Sequence, residues 1–310
     1  MSQPLAFVFP GQGSQHLGML AELAAEYSVI QETYAEASEV LGYDLWNLIQ
    51  NGPEADLNQT DRTQPALLTS GVALWRLWQQ KGGKQPAIMA GHSLGEYTAL
   101  VCAGAIGFKD AVNLVKLRGE FMQQAVPAGT GAMAAILGLA DDAIQAACDA
   151  AAGEEVVSPV NFNCPGQVVI AGNKAAVERA IAGCKEAGAK RAIPLPVSVP
   201  SHCVLMKPAA EQMAVVLKDI EVKMPEVTVI QNFTARAPAS VDELIENLLA
   251  QLYSPVLWTD SVESMIEQGV EATAECGPGK VLSGLNKKIH RPLVVAAIND
   301  VAGLEKALSA

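Results

Sequence analysis

The chain has 310 residues, of which half are hydrophobic and 17% are charged. This composition supplies a large core and excludes a disordered or low-complexity protein. The formal net charge of −12 argues against nonspecific binding to nucleic acid or to an anionic membrane surface. No stretch approaches the roughly 18 apolar residues of a membrane helix, and the start, MSQPLAFVFPGQGSQ, lacks the basic segment of a secretory leader. Six scattered cysteines predict reduced thiols. We therefore expect a cytoplasmic protein.

The first third of the chain predicts alternating strands and helices. Leu5 to Phe9 is a short apolar run before the glycine-rich loop PGQG, which is typical of a buried strand. Two long helical regions follow, and the second is predicted over Gln64 to Lys81 with Pro65 in its first turn. Pro86 to Ala90 predicts a second strand, which leads directly to a serine and another helix. Helices between short apolar strands indicate a mostly parallel α/β sheet.

The middle of the chain has a different order of elements. From Gly129 to Val197 the pattern is β-α-β-β-α-β, which is the order of the ferredoxin-like unit. We expect residues 129–197 to form an inserted small subdomain. Residues 1–128 and 198–310 then form the large α/β catalytic domain, and alternating helices and strands resume after the insert.

A possible nucleophile lies in the stretch GHSLGEYTAL, which has the pattern G-x-S-x-G around Ser93. A sharp turn from a strand into a helix exposes a serine hydroxyl at the end of a sheet, and flanking glycines avoid a clash there. The helix start favours a developing negative charge, and the Leu94 amide is the natural first oxyanion donor. The alternative is a serine that only shapes a tight turn.

A serine nucleophile needs a base, and the chain has four histidines. His92 is next to Ser93 and should point away from it. His16 lies near the first glycine loop, and His290 lies in the basic stretch KKIHR. His202 follows the last strand of the insert, where the chain re-enters the large domain, although a lone histidine is often structural. An ordinary α/β-hydrolase is disfavoured, because only one clear strand precedes residue 86.

Arg118 occupies an unusual place in the predicted helix FKDAVNLVKLRGEFMQQAV. It shares a face with Ala111, Leu114, Val115 and Met122. Burying a lone charge costs several kcal/mol. The aliphatic part of the side chain could pack on the core while the guanidinium reaches solvent or pairs with a local glutamate. The guanidinium could instead face the catalytic pocket and bind a carboxylate through two parallel hydrogen bonds, which would select an acyl group that ends in a carboxylate.

These residues, taken together, make the chain resemble the bacterial malonyl-CoA:acyl carrier protein transacylases over its whole length. The matching stretches are FVFPGQGSQ, TQPALL, GHSLGEYTAL, the arginine of KLRGEFM, VNFNCPGQVVIAG, VPSH, QLYSPVLW and ECGPGKVLSGLNKKI. The resemblance implies an α/β-hydrolase-like parallel core with a ferredoxin-like insert. It also implies transfer of a malonyl group from malonyl-CoA to the phosphopantetheine thiol of acyl carrier protein, through a malonyl-serine intermediate.

The resemblance also implies roles for particular residues. Ser93 is the nucleophile and His202 the general base, and a main-chain carbonyl of Gln251 orients the histidine. Gln12 supplies the second oxyanion amide beside Leu94. Arg118 binds the malonyl carboxylate, and weaker matches near the cleft are Gln64, Asn161 and Asn163. No metal or cofactor is implied, and the chain is expected to be a monomer.

Several alternatives stay open from the residues. A related acyltransferase could use methylmalonyl-CoA, a thioesterase-like hydrolase could pass the acyl group to water, and an inactive relative could only bind the carrier protein. An acidic carrier protein would need a basic docking patch. The candidate residues, each of which could equally be a solvated surface charge, are Lys287, Lys288 and Arg291, or Lys190 with Arg191.

Overall fold

The computed structural model describes residues 4–197 and 199–309. Its strands are β1 Leu5–Phe9, β2 Ile88–Gly91, β3 Gly131–Leu137, β4 Val157–Cys164, β5 Gln167–Asn173, β6 Arg191–Pro194, β7 Thr228–Ile230, β8 Ala272–Glu275 and β9 Val294–Ala297. Its α-helices are α1 Ala21–Glu26, α2 Ser28–Leu41, α3 Leu45–Asn51, α4 Glu54–Leu57, α5 Thr60–Gln80, α6 Leu94–Cys102, α7 Phe108–Ala125, α8 Asp141–Ala152, α9 Lys174–Glu186, α10 Lys207–Val216, α11 Val241–Tyr253, α12 Trp258–Glu267, α13 Val281–Ile289 and α14 Val301–Leu308.

The larger sheet is parallel and has the strand order β7-β2-β1-β8-β9. Alternate residues of β1 pack on opposite faces of this sheet. Phe7 and Phe9 join the core beneath α2, α5 and α7, whereas Ala6 and Val8 join the core beneath α12 and α13. Both faces are therefore covered, which explains why these strands read as continuous apolar runs. Within the described residues, no helix has the length and apolarity that a membrane crossing requires.

The smaller sheet is antiparallel and has the strand order β4-β5-β3-β6. Helices α8 and α9 cover one face of it, and their apolar residues form a separate core with β3 to β5. This is the ferredoxin-like arrangement. The predicted fold class, a parallel α/β core with an inserted ferredoxin-like unit, is confirmed. The exact domain bounds stay a prediction, and three of the expected limits, residues 1, 198 and 310, lie outside the described residues.

Helix α5 begins earlier than the sequence predicted. It starts at Thr60, so Pro65 lies inside the helix and not in its first turn. A proline in the second turn removes one backbone hydrogen bond close to the helix end, where the chain tolerates the loss. The four extra residues matter for the site, because the first turn of α5 packs beside α7. A Cβ at Gly119 of α7 would lie 2.6 Å from Asp61 Cα.

Two glycines allow the close packing at the turn between β2 and α6. A Cβ on Gly91 would meet the backbone of Gly95, and a Cβ on Gly95 would meet the carbonyl oxygen of Phe9. The turn around Ser93 can therefore lie directly on the end of β1 only if both positions lack a side chain.

Replacing Gly95 with alanine should lower the free energy of unfolding by about 3 kcal/mol or more, since a backbone carbonyl cannot move aside as a flexible side chain can. Urea unfolding measures this effect. The control is Gly284→Ala in α13, where a Cβ meets nothing within 4 Å. That change should alter stability by no more than about 1 kcal/mol, in the stabilising direction. Equal losses in the two variants would contradict the packing argument.

Candidate active site

Ser93 lies in a strained turn at the carboxyl end of β2. Its φ of 52° and ψ of −109° are unusual for a residue with a side chain. Asn232, in the loop after the neighbouring strand β7, holds this turn from both sides. The Ser93 N–H donates to Asn232 Oδ1 at 2.6 Å, and Asn232 Nδ2 donates to the Gly91 carbonyl at 2.6 Å. The strain is thus maintained by an amide from the adjacent strand end.

His202 approaches Ser93 from the other side of the site. Its Nε2 lies 2.8 Å from Ser93 Oγ, and its Nδ1 lies 2.7 Å from the Gln251 carbonyl oxygen. A carbonyl only accepts, so Nδ1 carries the proton and Nε2 presents its lone pair to the serine. The backbone N–H of His202 also donates to the Leu252 carbonyl at 3.0 Å. Both carbonyls belong to the last turn of α11, whose carbonyls lack partners within the helix.

The environment keeps His202 neutral. Burial, and then the positive charge of Arg118, lower the pKa of His202 to about 3, while the hydrogen bond to Gln251 acts in the opposite direction. A neutral imidazole can take a proton from Ser93. The negative end of the α11 dipole then stabilises the imidazolium that forms.

Arg118 is buried, with 1% of its surface exposed, and its head lies beside the serine. Nη2 donates to Ser93 Oγ at 3.3 Å and to Gln251 Oε1 at 3.0 Å, and Nη1 donates to Gln64 Oε1 at 2.8 Å. The guanidinium carbon also lies 5.2 Å from the centre of the Tyr97 ring. These partners are neutral, and Nε has no hydrogen-bond partner among the described residues. These three hydrogen bonds use three of the five N–H groups of the guanidinium, so the cation can still donate to a further acceptor.

Local sequence explains how Arg118 reaches this point. Gly119, the next residue of α7, allows that helix to approach the first turn of α5. The approach brings Gln64 of α5 within hydrogen-bonding distance of Arg118. Gln64, a weak prediction from the sequence, is a direct partner of the guanidinium and is 1% exposed.

Ser93, His202 and Arg118 line one cavity of about 120 Å³. Gln12 and Leu94, the predicted oxyanion residues, line the same cavity. The opposite wall comes from the inserted unit and the segment after it, through residues that include Met133, Asn161, Leu195 and Val197. This volume lies below the roughly 300–1,000 Å³ of pockets for drug-sized ligands, which suits a short acyl group better than a long chain.

The two asparagines predicted near the cleft have different surroundings. Asn161 lines the cavity, and its buried Oδ1 has no hydrogen-bond partner in the described part of the chain. Asn163 binds His92 instead, with 2.8 Å between His92 Nε2 and Asn163 Oδ1. The His92 side chain thus ties the serine turn to strand β4, and its ring does not contact the serine hydroxyl as a base.

Sequence reasoning missed Glu96, Asn232 and the side chain of Gln251. Glu96 is fully buried three residues after Ser93 and accepts hydrogen bonds from the other two residues. A glutamate in the apolar helix LGEYTALVC was a detectable signal, because a buried carboxylate needs partners. Asn232 gave no local signal, since its role depends on strand order.

The acyl transferase domain family matches residues 6–300, which is nearly the whole chain. The chain belongs to this acyl transferase family. The malonyl CoA-acyl carrier protein transacylase of Salmonella typhimurium is 62% identical over 304 residues, which are 98% of each chain. That of Bacillus subtilis is 48% identical over 98% of this chain and 96% of its own. The resemblance predicted from the motifs is confirmed.

Solved structures match this acyl transferase along its full length. An acyl carrier protein S-malonyltransferase from Vibrio cholerae is 63% identical, with a TM-score of 0.96 and coverage of 98% of this chain and 99% of that one. A malonyl-transacylase in complex with a type II PKS acyl carrier protein is 59% identical, with a TM-score of 0.98 and coverage of 99% of each chain.

The low pKa of His202 predicts how the serine of this acyl transferase reacts as the pH changes. A neutral fluorophosphonate should label Ser93 at the same rate from pH 8 to pH 5, because a base with a pKa of about 3 keeps its lone pair throughout this range. Mass spectrometry of the intact protein follows the rate, and Ser93→Ala is the control for labelling elsewhere. A rate that falls with an apparent pKa near 6.5 would contradict the expected effect of burial and of Arg118.

Proposed function

We propose that this chain transfers the malonyl group from malonyl-CoA to the phosphopantetheine thiol of acyl carrier protein, through a malonyl ester on Ser93. The observation that carries the proposal is the buried guanidinium of Arg118, 3.3 Å from the serine hydroxyl in a small cavity. A cation at this distance fits an acyl group with a second carboxylate a few bonds from the thioester. The named relatives, which are malonyl transacylases, support the same substrate.

The first half-reaction forms the ester. Ser93 Oγ attacks the thioester carbon while its proton passes to His202 Nε2, and the Leu94 and Gln12 amides bind the oxyanion. The carbon–sulfur bond then breaks, and His202 returns the proton to the CoA thiolate. In the second half-reaction the pantetheine thiol gives its proton to His202 and attacks the ester carbon. The bond from that carbon to Ser93 Oγ then breaks, and His202 returns the proton to Oγ. These steps need only groups of this chain and the two substrates.

Arg118 can select the acyl group by charge as well as by binding. Its charge is the second cause, after burial, of the low pKa of His202. A malonyl carboxylate paired with Arg118 offsets that charge, so His202 becomes a stronger base when the correct acyl group is present. An acetyl group leaves the cation unpaired and the histidine a weak base.

Acyl carrier protein is the proposed partner, and the two basic segments predicted from the sequence could form one docking surface. Lys288 donates to Gln167 Oε1 at 3.3 Å, and the Lys190 side chain lies against Gly138. In the small sheet Leu137 pairs with both Gln167 and Arg191, so these segments share one end of that sheet. The cytoplasmic location and the monomeric state expected from the sequence remain part of this proposal.

Malonyl-CoA should add the mass of one malonyl group to the peptide that contains Ser93, because Ser93 is the nucleophile that His202 activates. Tryptic mass spectrometry after a brief incubation measures the adduct, and Ser201→Ala is a matched control at the cavity wall. Holo acyl carrier protein should then remove the label. Label on any other residue, or label that only water removes, would contradict the proposal and favour another nucleophile or a hydrolase.

Replacing Arg118 with alanine should lower kcat/KM for malonyl-CoA by about 100-fold or more, since a charged hydrogen-bonded pair is lost in a buried site. Acetyl transfer should be spared or increased, because acetyl has no carboxylate to bind and the His202 pKa rises. Arg118→Lys should restore the charge but not the two-point contact. Stopped-flow acylation with both thioesters measures the effect, and equal losses for the two substrates would refute the selector role.

A further inference from the structure

Glu96 is a fully buried carboxylate that the proposed reaction does not use. Three donors surround it. The Asn232 N–H and Gln251 Nε2 donate to Oε2 at 2.8 and 2.9 Å, and Gln231 Nε2 donates to Oε1 at 3.1 Å. An ionised carboxylate is an acceptor only, so it satisfies all three donors, whereas a protonated one would carry a hydrogen with no acceptor among these three groups.

The orientation of the two glutamine amides does not depend on Glu96 alone. Gln231 Nε2 also donates to the Leu244 carbonyl at 3.1 Å, and Gln251 Nε2 also donates to the Ser93 carbonyl at 3.0 Å. A backbone carbonyl accepts and never donates, so the group of each glutamine that contacts the carbonyl is its NH₂ group. The same NH₂ group lies beside Glu96, and it therefore donates to the carboxylate as well. Burial raises the pKa of Glu96 to about 7, and the hydrogen bonds and the charge of Arg118 act in the opposite direction.

Gln251 connects Glu96 to Arg118. Its Nε2 is held between Glu96 and the Ser93 carbonyl, which turns its Oε1 toward Arg118 Nη2 at 3.0 Å. The amide therefore has one permitted orientation, and that orientation presents an acceptor to the guanidinium. Arg118 forms no ion pair among the described residues, so the negative charge of Glu96, one amide away, is the balancing charge for the buried cation.

We propose that Glu96 is a positioning residue for acyl-group selection: its carboxylate fixes the Gln251 amide, and that amide holds the Arg118 guanidinium beside Ser93. The inference rests on the proposed role of Arg118 as the site for the acyl carboxylate. The main-chain carbonyl of Gln251 orients His202 without the amide, so loss of Glu96 should disturb selection more than it disturbs the serine–histidine pair.

The test is the ratio of kcat/KM for malonyl-CoA to kcat/KM for acetyl-CoA at pH 8, with folded sites counted by fluorophosphonate labelling of Ser93. Glu96→Gln removes the negative charge and replaces one acceptor oxygen with an NH₂ group, so at least one of the three donors loses its acceptor. It should reduce the ratio by about 10-fold or more, the scale of loss expected when a binding group moves by a fraction of an ångström. The control is Glu275→Gln, another buried carboxylate, which accepts from Leu282 N–H and Ser283 N–H and does not line the cavity. It should leave the ratio unchanged.

Two further variants separate positioning from general destabilisation. In an Arg118→Ala background, Glu96→Gln should leave the ratio as it was, because the group that Glu96 positions is gone. Gln251→Met removes the connecting amide but keeps the carbonyl for His202, and it should reproduce the loss even if Glu96→Gln does not fold. An unchanged ratio in folded Glu96→Gln or in Gln251→Met would overturn the inference, as would an equal change in both Arg118 backgrounds.

The result is distinguishable from a failure of the proposed function. A native enzyme that does not prefer malonyl-CoA over acetyl-CoA would refute the role of Arg118 itself. A native preference that survives Glu96→Gln would refute only the role of Glu96.

Discussion

The buried positive charge of Arg118 is the constraint on which the rest of the site depends. A guanidinium with 1% exposure needs acceptors, and neutral amides from α5 and α11 provide them without cancelling the charge. Full neutralisation by an adjacent carboxylate would remove the attraction for an acidic acyl group. Glu96 instead lies one amide away. In the proposed role, its charge stabilises the cation and leaves Arg118 able to bind the acyl carboxylate.

In the same region, the functional groups lie at the ends of strands and helices. Three parallel strands, β7, β2 and β1, end beside one another, and the loops after them carry Asn232, Ser93 and Gln12. The histidine is oriented by the free carbonyls of the α11 terminus and not by an aspartate. The site thus needs few dedicated side chains, because backbone groups at element ends do much of the hydrogen bonding.

The sequence alone predicted the fold class and the type of reaction. It did not predict the hydrogen bonds that connect site residues distant in the chain. The G-x-S-x-G turn and the β-α-β-β-α-β insert are local patterns, and Arg118 was visible as a charge on an apolar helix face. Family motifs were needed to choose His202 and Gln251, since a lone histidine carries little information. The clamp by Asn232 and the contact of Glu96 with Gln251 join residues more than 130 positions apart. No local pattern predicts such contacts, because strand order determines them.

The central claim is that a guanidinium held ready beside the nucleophile selects an acyl group with a free carboxylate. The most direct measurement is a competition in which the native enzyme meets equal concentrations of malonyl-CoA and acetyl-CoA, followed at once by mass spectrometry of the acyl-enzyme. The account predicts that malonyl-Ser93 is formed in large excess. Acetyl-Ser93 in equal or greater amount would contradict it.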